Sequence, residues 1–488
     1  MHLIKKNIIW SLIGNILPLI AGVLLIPVII QSYGLERFGL LAIAWSLVGY
    51  FGLFDVGLSR ALTYFISTCL SQPNQQNNIN EVTYTTLRAM WLLGVIGAVM
   101  LFISVPALVK FVLNVSTSIR AEAIEAFFIL SACIPFVLHA TALKGVMDAF
   151  NLFKQSSFIR MVFGSGMFIA PFIASYFGAN LVNAMISLVI LRIIVWYMHY
   201  YFVHQLDILK QKQLFKPRWL KILFKFGGWI TISNIIGPLM VYMDRFLIAS
   251  LLGASLVAFY VAPYEVVIKL LVVPAGFTTV LFPLFAKVWS NNPQQAADML
   301  YKGLVYILIA LAPVVILLSY FSNEWLRLWL GASFASKSAS IAVWLIAGVL
   351  MNGLAQILYA YVQGTGKSDW TAKLHMLEVI PYGLALWYFL KNHGLQGAAI
   401  AWFLRCFIDC LGLAYLAVKI NAINKSAIFK PIMLSIALSG VLIGSLLINN
   451  FTIKVLAMLF LIILYCVYVV RIIKKDNVLA FINQRLSK

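Results

Sequence analysis

The 488-residue chain is 63% hydrophobic and 10% charged, with a mean hydropathy of +0.97, whereas soluble domains are roughly 45–50% apolar and about 25% charged. This composition cannot build a water-facing surface, so a soluble enzyme is excluded. The net charge of +21 would suggest nucleic acid in a soluble protein, but the basic residues sit mainly in short loops between apolar runs, where membrane topology accounts for them and no nucleic-acid partner is expected.

The apolar runs approach the roughly 20 residues needed to cross a hydrocarbon core as a helix. They predict spans at 8–30, 38–66, 88–113, 122–148, 158–177, 182–204, 226–251, 257–285, 300–322, 338–363, 373–390, 396–419, 430–449 and 454–471. The first follows Lys5 and Lys6 without a small-residue cleavage site, and so reads as a retained helix rather than a cleaved signal. The fold class expected is all-α integral membrane with about 14 crossings. Counting the 36 Lys and Arg residues in or next to the loops, 23 fall on the side of the two termini, and six lie well inside spans. Only seven (Arg37, Lys110, Arg120, Arg327, Lys337, Lys391 and Lys454) fall on the other side. That asymmetry places both termini in the cytoplasm of a multi-pass inner-membrane protein.

An internal repeat is visible. Asn15 and Asn234 are separated by 219 residues, as are Gly34 and Gly253, and each set brackets the first helix of a six-helix group. Further on, Gly178 matches Gly394 at an offset of 216. Six helices return the chain to its starting side, so the copies run in the same sense, as in transporters built from parallel repeats with a substrate path between the halves. The expected organisation is a six-helix bundle over 1–210, a second over 211–425, and two further helices with a cytoplasmic tail over 426–488.

Several stretches carry a resemblance. Residues 7–15 (NIIWSLIGN) lead into YGLERFGLLAIAWSLVGYFGLFDVGLSRALTYFIS at 33–67. LKGVMDAFNLFK (143–154) has Met147 and Asp148 where Gln is more usual, and YVQGTGKSDW (361–370) is its counterpart in the second half. With twelve repeated helices plus two, the chain resembles the polysaccharide-flippase (Wzx-type) branch of the multidrug/oligosaccharidyl-lipid/polysaccharide exporter superfamily. The resemblance implies a MATE-like fold. It also implies translocation of an undecaprenyl-pyrophosphate-linked oligosaccharide, such as an O-antigen or other lipopolysaccharide unit, from the cytoplasmic to the outer leaflet. Implied partners are the lipid-linked oligosaccharide, membrane lipids, a coupling ion (H+ or Na+), and polymerase and chain-length proteins of the same pathway.

A charge at a helix centre costs roughly 2.5–3.5 kcal/mol on insertion scales, so each needs a partner or a wet cavity. Lys144 with Asp148, Glu265 with Lys269, and Arg405 with Asp409 stand four apart, close enough to neutralise each other on one helix face. Arg192 lies near the middle of the sixth span, within LVILRIIVW, with no acid within a turn. Shifted by the repeat offset it falls three residues from Arg405. Arginine offers phosphate a planar fork of donors and keeps its charge when desolvated, so Arg192 and Arg405 are candidates for the pyrophosphate path. Arg60, Arg245 and Lys269 are further cavity candidates in the spans expected to form the gate. Asp55, Asp244 and Glu378 are candidates for a coupling-ion or proton site. Asp244 and Arg245 are adjacent and should seek different partners. Pro18, Pro27, Pro238, Pro263, Pro274 and Pro283 cluster in the same gate spans, as hinges or ordinary kinks.

Gly364–Ser368 (GTGKS) lacks the first glycine of a phosphate-binding loop, since Tyr361 stands there. The histidines and the five cysteines show no ligand spacing. No enzyme, cofactor or metal is expected. Two rival readings stay open: an ion-coupled multidrug exporter of the same architecture, against which Arg192 speaks, and a membrane glycan polymerase, for which the longest outer connection (323–337) is too short.

Overall fold

The computed structural model describes residues 2–475 other than 56, 71–75, 207, 209–214, 290–291, 421–424 and 449. Within its helices the side chains of 2–16, 50, 53–54, 76, 224–235, 237–238, 425–427 and 473–475 fall outside that description. The side chains of Asn15, Asn234 and Pro238, the loop lysines 210 and 212, and the tail beyond 475 therefore lie outside it. All described secondary structure is helical, without a strand.

The chain forms two compact units, Met1–Ala262 and Pro263–Lys488. The first contains α1 (His2–Phe51), α2 (Leu58–Leu70), α3 (Gln76–Ala107), α4 (Arg120–Ser131), α5 (Ile134–Ala149), α6 (Phe153–Ser175), α7 (Leu181–His204), α8 (Pro217–Leu252) and most of α9 (Ala254–Val267). The second contains α10 (Val272–Trp289), α11 (Pro293–Tyr320), α12 (Ser322–Leu330), α13 (Ala332–Gly364), α14 (Ser368–Ile420), α15 (Lys425–Gly444) and α16 (Phe451–Lys475). Eleven stretches among the described residues are long and apolar enough to cross a membrane.

Two of these elements are broken by glycine. Within α1, Gly34 takes φ 79°, ψ 167°, and within α14, Gly394 takes φ 56°, ψ −142°. Such backbone is nearly closed to residues with a Cβ. Gly253, the repeat partner of Gly34, takes the matching φ 101°, ψ 153° at the end of α8. Gly178, the repeat partner of Gly394, also has positive φ, at 125°. All four glycines of the two matched pairs thus have positive φ.

The second predicted span, 38–66, is not one continuous helix. A 3-10 turn at Gly52–Asp55 interrupts it and α2 restarts at Leu58. The reason is local: Gly57 has φ +72°, and its N–H donates to Asp55 Oδ1 at 2.8 Å. The span of α9 and α10 is similarly interrupted by a 3-10 turn at Ile268–Leu271, just before Pro274.

In the first unit α5 packs against α2, α3 and α7, while α1 packs on α6. In the second, α13 is the central helix, 83% buried along its apolar window, and packs on α10, α11, α12 and α14. The corresponding window of α16 is only 6% buried, so it lies at the rim of this unit.

Polar staples hold the ends of the first unit. Arg37 donates through Nε and Nη2 to both oxygens of Glu122, at 2.8 and 2.7 Å, and Glu122 also accepts the Leu181 N–H that opens α7. One carboxylate thus joins α1, α4 and α7. Glu36 accepts from the Ser116 N–H and hydroxyl, each at 2.8 Å. On another edge Glu81 of α3 receives Lys216, Arg218 at 2.9 Å and Trp219 Nε1 at 3.1 Å, which fixes the start of α8.

Candidate functional site

Several of the charged residues picked out in the sequence form two groups, one in each unit. The group in the first unit is built on α1, α6, α7 and α8. Arg192 stands eleven residues into α7, about 16 Å along its axis at 1.5 Å per residue, and so close to the middle of a core about 30 Å thick. Its guanidinium lies 3.8 Å from the centroid of the Phe163 ring on α6. A cation over an aromatic face gains about 2 kcal/mol when desolvated, which offsets much of the cost of placing the charge there. Arg192 makes no hydrogen bond or ion pair among the described residues, and its Nε is fully enclosed without an acceptor. Its donor fork is unused.

Arg245 belongs to the same group. It is 2% exposed, donates from Nη1 to Ser46 Oγ at 2.9 Å, and holds its guanidinium 5.5 Å from the Tyr242 ring centroid. Tyr242 is also an electrostatic neighbour of Arg192; the two arginines flank one phenol. Asp244 is fully buried, and its Oδ2 accepts from Tyr260 at 2.6 Å. The adjacent Asp244 and Arg245 side chains do reach different groups, as their helical spacing requires. Trp45, next to Ser46, packs edge-on against Phe168 at 5.2 Å. The first unit thus holds two buried cations on a bed of rings and hydroxyls.

Asp55 and Arg60 do not join this group. Asp55 is buried but turned back on its own chain at the Gly57 turn, and Arg60 is exposed on α2. Lys144 lies 3.7 Å from Asp148, the pairing expected from their spacing. So does Lys269 with Glu265, at 3.8 Å, in the broken stretch between α9 and α10.

The group in the second unit departs from expectation. Arg405 does not pair with Asp409 within 4 Å; its guanidinium instead lies 5.7 Å from the Tyr382 ring centroid. Asp409 Oδ1 faces His375 Nε2 at 3.3 Å. The break at Gly394 folds α14 into two segments, and this brings His375 and Glu378 of the first segment against Asp409 of the second. Polar atoms of the three residues all lie within 4.8 Å of one another. Glu378 is 7% exposed, and neither of its oxygens has a hydrogen-bond partner. The His375 ring stacks on Tyr359 of α13 at 5.7 Å and 6°. Sequence reading missed His375 because it looked for ligand motifs. The available signal was its position three residues before Glu378, which puts both on one helix face.

Two apolar grooves lie elsewhere. One of about 370 Å3 between α6 and α7 is lined by residues such as Ile173, Ile186 and Ile194. Another of about 220 Å3 lies among α11, α15 and α16. Neither has a charged lining residue, so neither can recognise an anion.

With eleven stretches among the described residues long and apolar enough to cross a membrane, the chain is a multi-span membrane protein. A family model for polysaccharide biosynthesis proteins matches residues 4–289, more than half of the chain, and the chain belongs to that family. It is 31% identical over 423 residues to the "Putative O-antigen transporter" of Shigella flexneri, covering 87% of this chain and 100% of that protein. The lipopolysaccharide biosynthesis protein WzxC of Escherichia coli is 22% identical over 348 residues, covering 70% of this chain and 66% of WzxC. Among solved structures, the lipid II flippase MurJ in an inward closed conformation aligns with a TM-score of 0.71 at 14% identity, covering 96% of this chain and 99% of that one. An inward-facing MATE-family multidrug transporter of the MOP superfamily aligns equally well, with a TM-score of 0.71 at 13% identity, covering 84% and 98%. These last two establish the shared fold.

Proposed function

We propose that this protein flips an undecaprenyl-pyrophosphate-linked oligosaccharide from the cytoplasmic to the outer leaflet by alternating access. The observation that carries the reading is Arg192: a mid-membrane guanidinium held by an aromatic face, with its whole donor fork unspent. A lipid-linked diphosphate carries about two negative charges and accepts from arginine in a bidentate manner. A drug exporter selecting organic cations would gain nothing from such a group. Arg245 supplies a second positive charge in the same unit, and Arg60, Lys269 and Arg405 are further contacts for the anionic headgroup along its route. Asp55, Asp244 and Glu378 are the acids available to a coupling H+ or Na+.

The topology proposed has fourteen crossings: the eleven observed, one more from each glycine-broken element, and α8. The repeats run over 1–210 and 211–425, with 426–488 appended, and both termini face the cytoplasm of a bacterial inner membrane. Polymerase and chain-length proteins of the same pathway would receive the flipped unit.

The test is the sidedness of lipid-linked oligosaccharide in cells depleted of this protein. Accumulation of the undecaprenyl-linked unit on the cytoplasmic leaflet is expected. If the unit still reached the outer leaflet while only polymer was missing, the protein would act after flipping and the proposal would fail.

A further inference from the structure

The His375–Glu378–Asp409 cluster is not needed to bind a diphosphate. Its two acids would repel one. Its position is nonetheless central: Glu378 stands ten residues into α14, about 15 Å along the helix and half-way through a core about 30 Å thick. Asp409 stands eleven residues before the end of the same element, at a matching depth. A buried carboxylate ordinarily accepts hydrogen bonds from several donors, and leaving one ionised without them costs several kcal/mol. Both Glu378 oxygens lack any donor and are enclosed. An acid so placed is less costly protonated than ionised.

We propose that the cluster is an exchangeable single-proton site, with the proton resting on Glu378 and the His375–Asp409 pair beside it. The charged groups acting on Glu378 are Asp409, His375 and Arg405. Tyr382, Cys406 and Cys410 stand near them on α14, and Tyr359 faces them from α13. Packed α15 contributes no charged group to Glu378 among the described residues. Two ionised acids and Arg405 sum to one negative charge, and one added proton brings the three to neutrality. Arg405 beside the acids opposes a metal cation, whose charge would add to its own, whereas a proton forms a neutral carboxyl.

The proton also has a route. Along α13, Gln356 Nε2 donates to Asn352 Oδ1 at 3.1 Å and Asn352 Nδ2 points to Cys406 Sγ at 3.9 Å. Nearer the turn that joins α13 to α14, Gln363 Nε2 donates to the Tyr359 hydroxyl at 2.6 Å and to Thr371 Oγ1 at 3.3 Å. Asn352, Gln356, Tyr359 and Gln363 recur every three or four residues and so form a polar stripe on one face of an otherwise apolar helix. The stripe runs from the exposed Gly366–Lys367 turn past His375 to the depth of the acids. A proton entering at that turn reaches Glu378 by way of His375, and leaves by the reverse transfer when the cluster is re-exposed to water. The proton site stands on this geometry alone; its use to drive flipping rests on the transport reading above.

The test is pH-difference infrared spectroscopy on the purified full-length protein in lipid nanodiscs, without substrate. The expected result is a carboxylic-acid C=O band that titrates reversibly, is lost in Glu378→Gln, and shifts its midpoint in Asp409→Asn. Glu122→Gln, at the staple of the first unit, should leave the band intact. Size-exclusion profiles of the variants control for misfolding, and the conservative His375→Gln variant, expected to slow exchange of the band, gives a second reading if Glu378→Gln fails to fold. A band unchanged by Glu378→Gln overturns the assignment. So does saturable removal of the band by sodium chloride at fixed pH, relative to choline chloride, because the site would then take a metal cation. None of these outcomes depends on whether the protein flips a lipid.

Discussion

The two units solve the cost of buried charge in opposite ways. In the first, Arg192 lies over the Phe163 ring, which stabilises its positive charge without cancelling it, while Arg245 reaches Ser46 and the Tyr242 ring. In the second, Glu378 and Asp409 lie beside a histidine and an arginine, with too few hydrogen bonds to hold both acids ionised. The aromatic face under Arg192 leaves that cation available to an incoming anion, since a ring is not a counter-ion. An acid without donors instead responds to the membrane by changing its protonation. Under the readings proposed above, the first arrangement would receive a phosphate headgroup and the second would take up and release a proton.

The contrast is sharpest at Arg192. Replacing it with alanine should lower flipping by at least about tenfold, the worth of one charge-assisted hydrogen bond, while the protein inserts at normal abundance on immunoblots of membranes. Arg192→Lys should fall between, because lysine keeps the charge but loses the planar fork. Full activity of the alanine variant would dissolve the distinction between the units.

Two isosteric substitutions should then move stability in different directions. Glu122→Gln weakens a carboxylate that joins three helices and should cost about 1–2 kcal/mol, discounted for partial exposure, which lowers the thermal unfolding temperature of the purified protein. Glu378→Gln removes an acid that has no donors, and its unfolding temperature should hold or rise. A loss from both would mean that Glu378 is held by the fold as firmly as Glu122.

Smaller effects follow from the backbone and the periphery. Gly34→Ala forces a Cβ into a positive-φ break and should cost about 1–3 kcal/mol in the same unfolding assay, although nothing lies within 4 Å of the added atom. Ser46→Ala removes the acceptor for Arg245 and should cost about 0.5–1.5 kcal/mol. Asp369→Asn, at an exposed pair with Lys373 (2.9 Å), should change nothing measurable.

Much of this was legible in the sequence, and for identifiable reasons. Apolar runs report crossings because lipid satisfies no backbone group. Gly34, Gly253, Gly178 and Gly394 were readable because a break with positive φ demands glycine and the repeat doubles each one. Arg192 stood out because an unpaired base at mid-span is too costly to be incidental. The partner of Asp409 was not legible, since spacing along one helix favours Arg405 while the fold at Gly394 delivers His375 from another segment. Phe163 under Arg192 was likewise hidden, because one phenylalanine among 34 carries no mark of the cation it will meet. The interruption of the second span at Asp55–Gly57 was masked by hydrophobic residues on both sides.

The most direct test of the central claim uses purified protein in proteoliposomes loaded with undecaprenyl-pyrophosphate-linked oligosaccharide, scored by the fraction of headgroup reachable by an external glycan-modifying enzyme. The account predicts that wild-type protein exposes the inner-leaflet pool with time and that Arg192→Ala does not. Equal exposure by both proteins, or by protein-free liposomes, would contradict it.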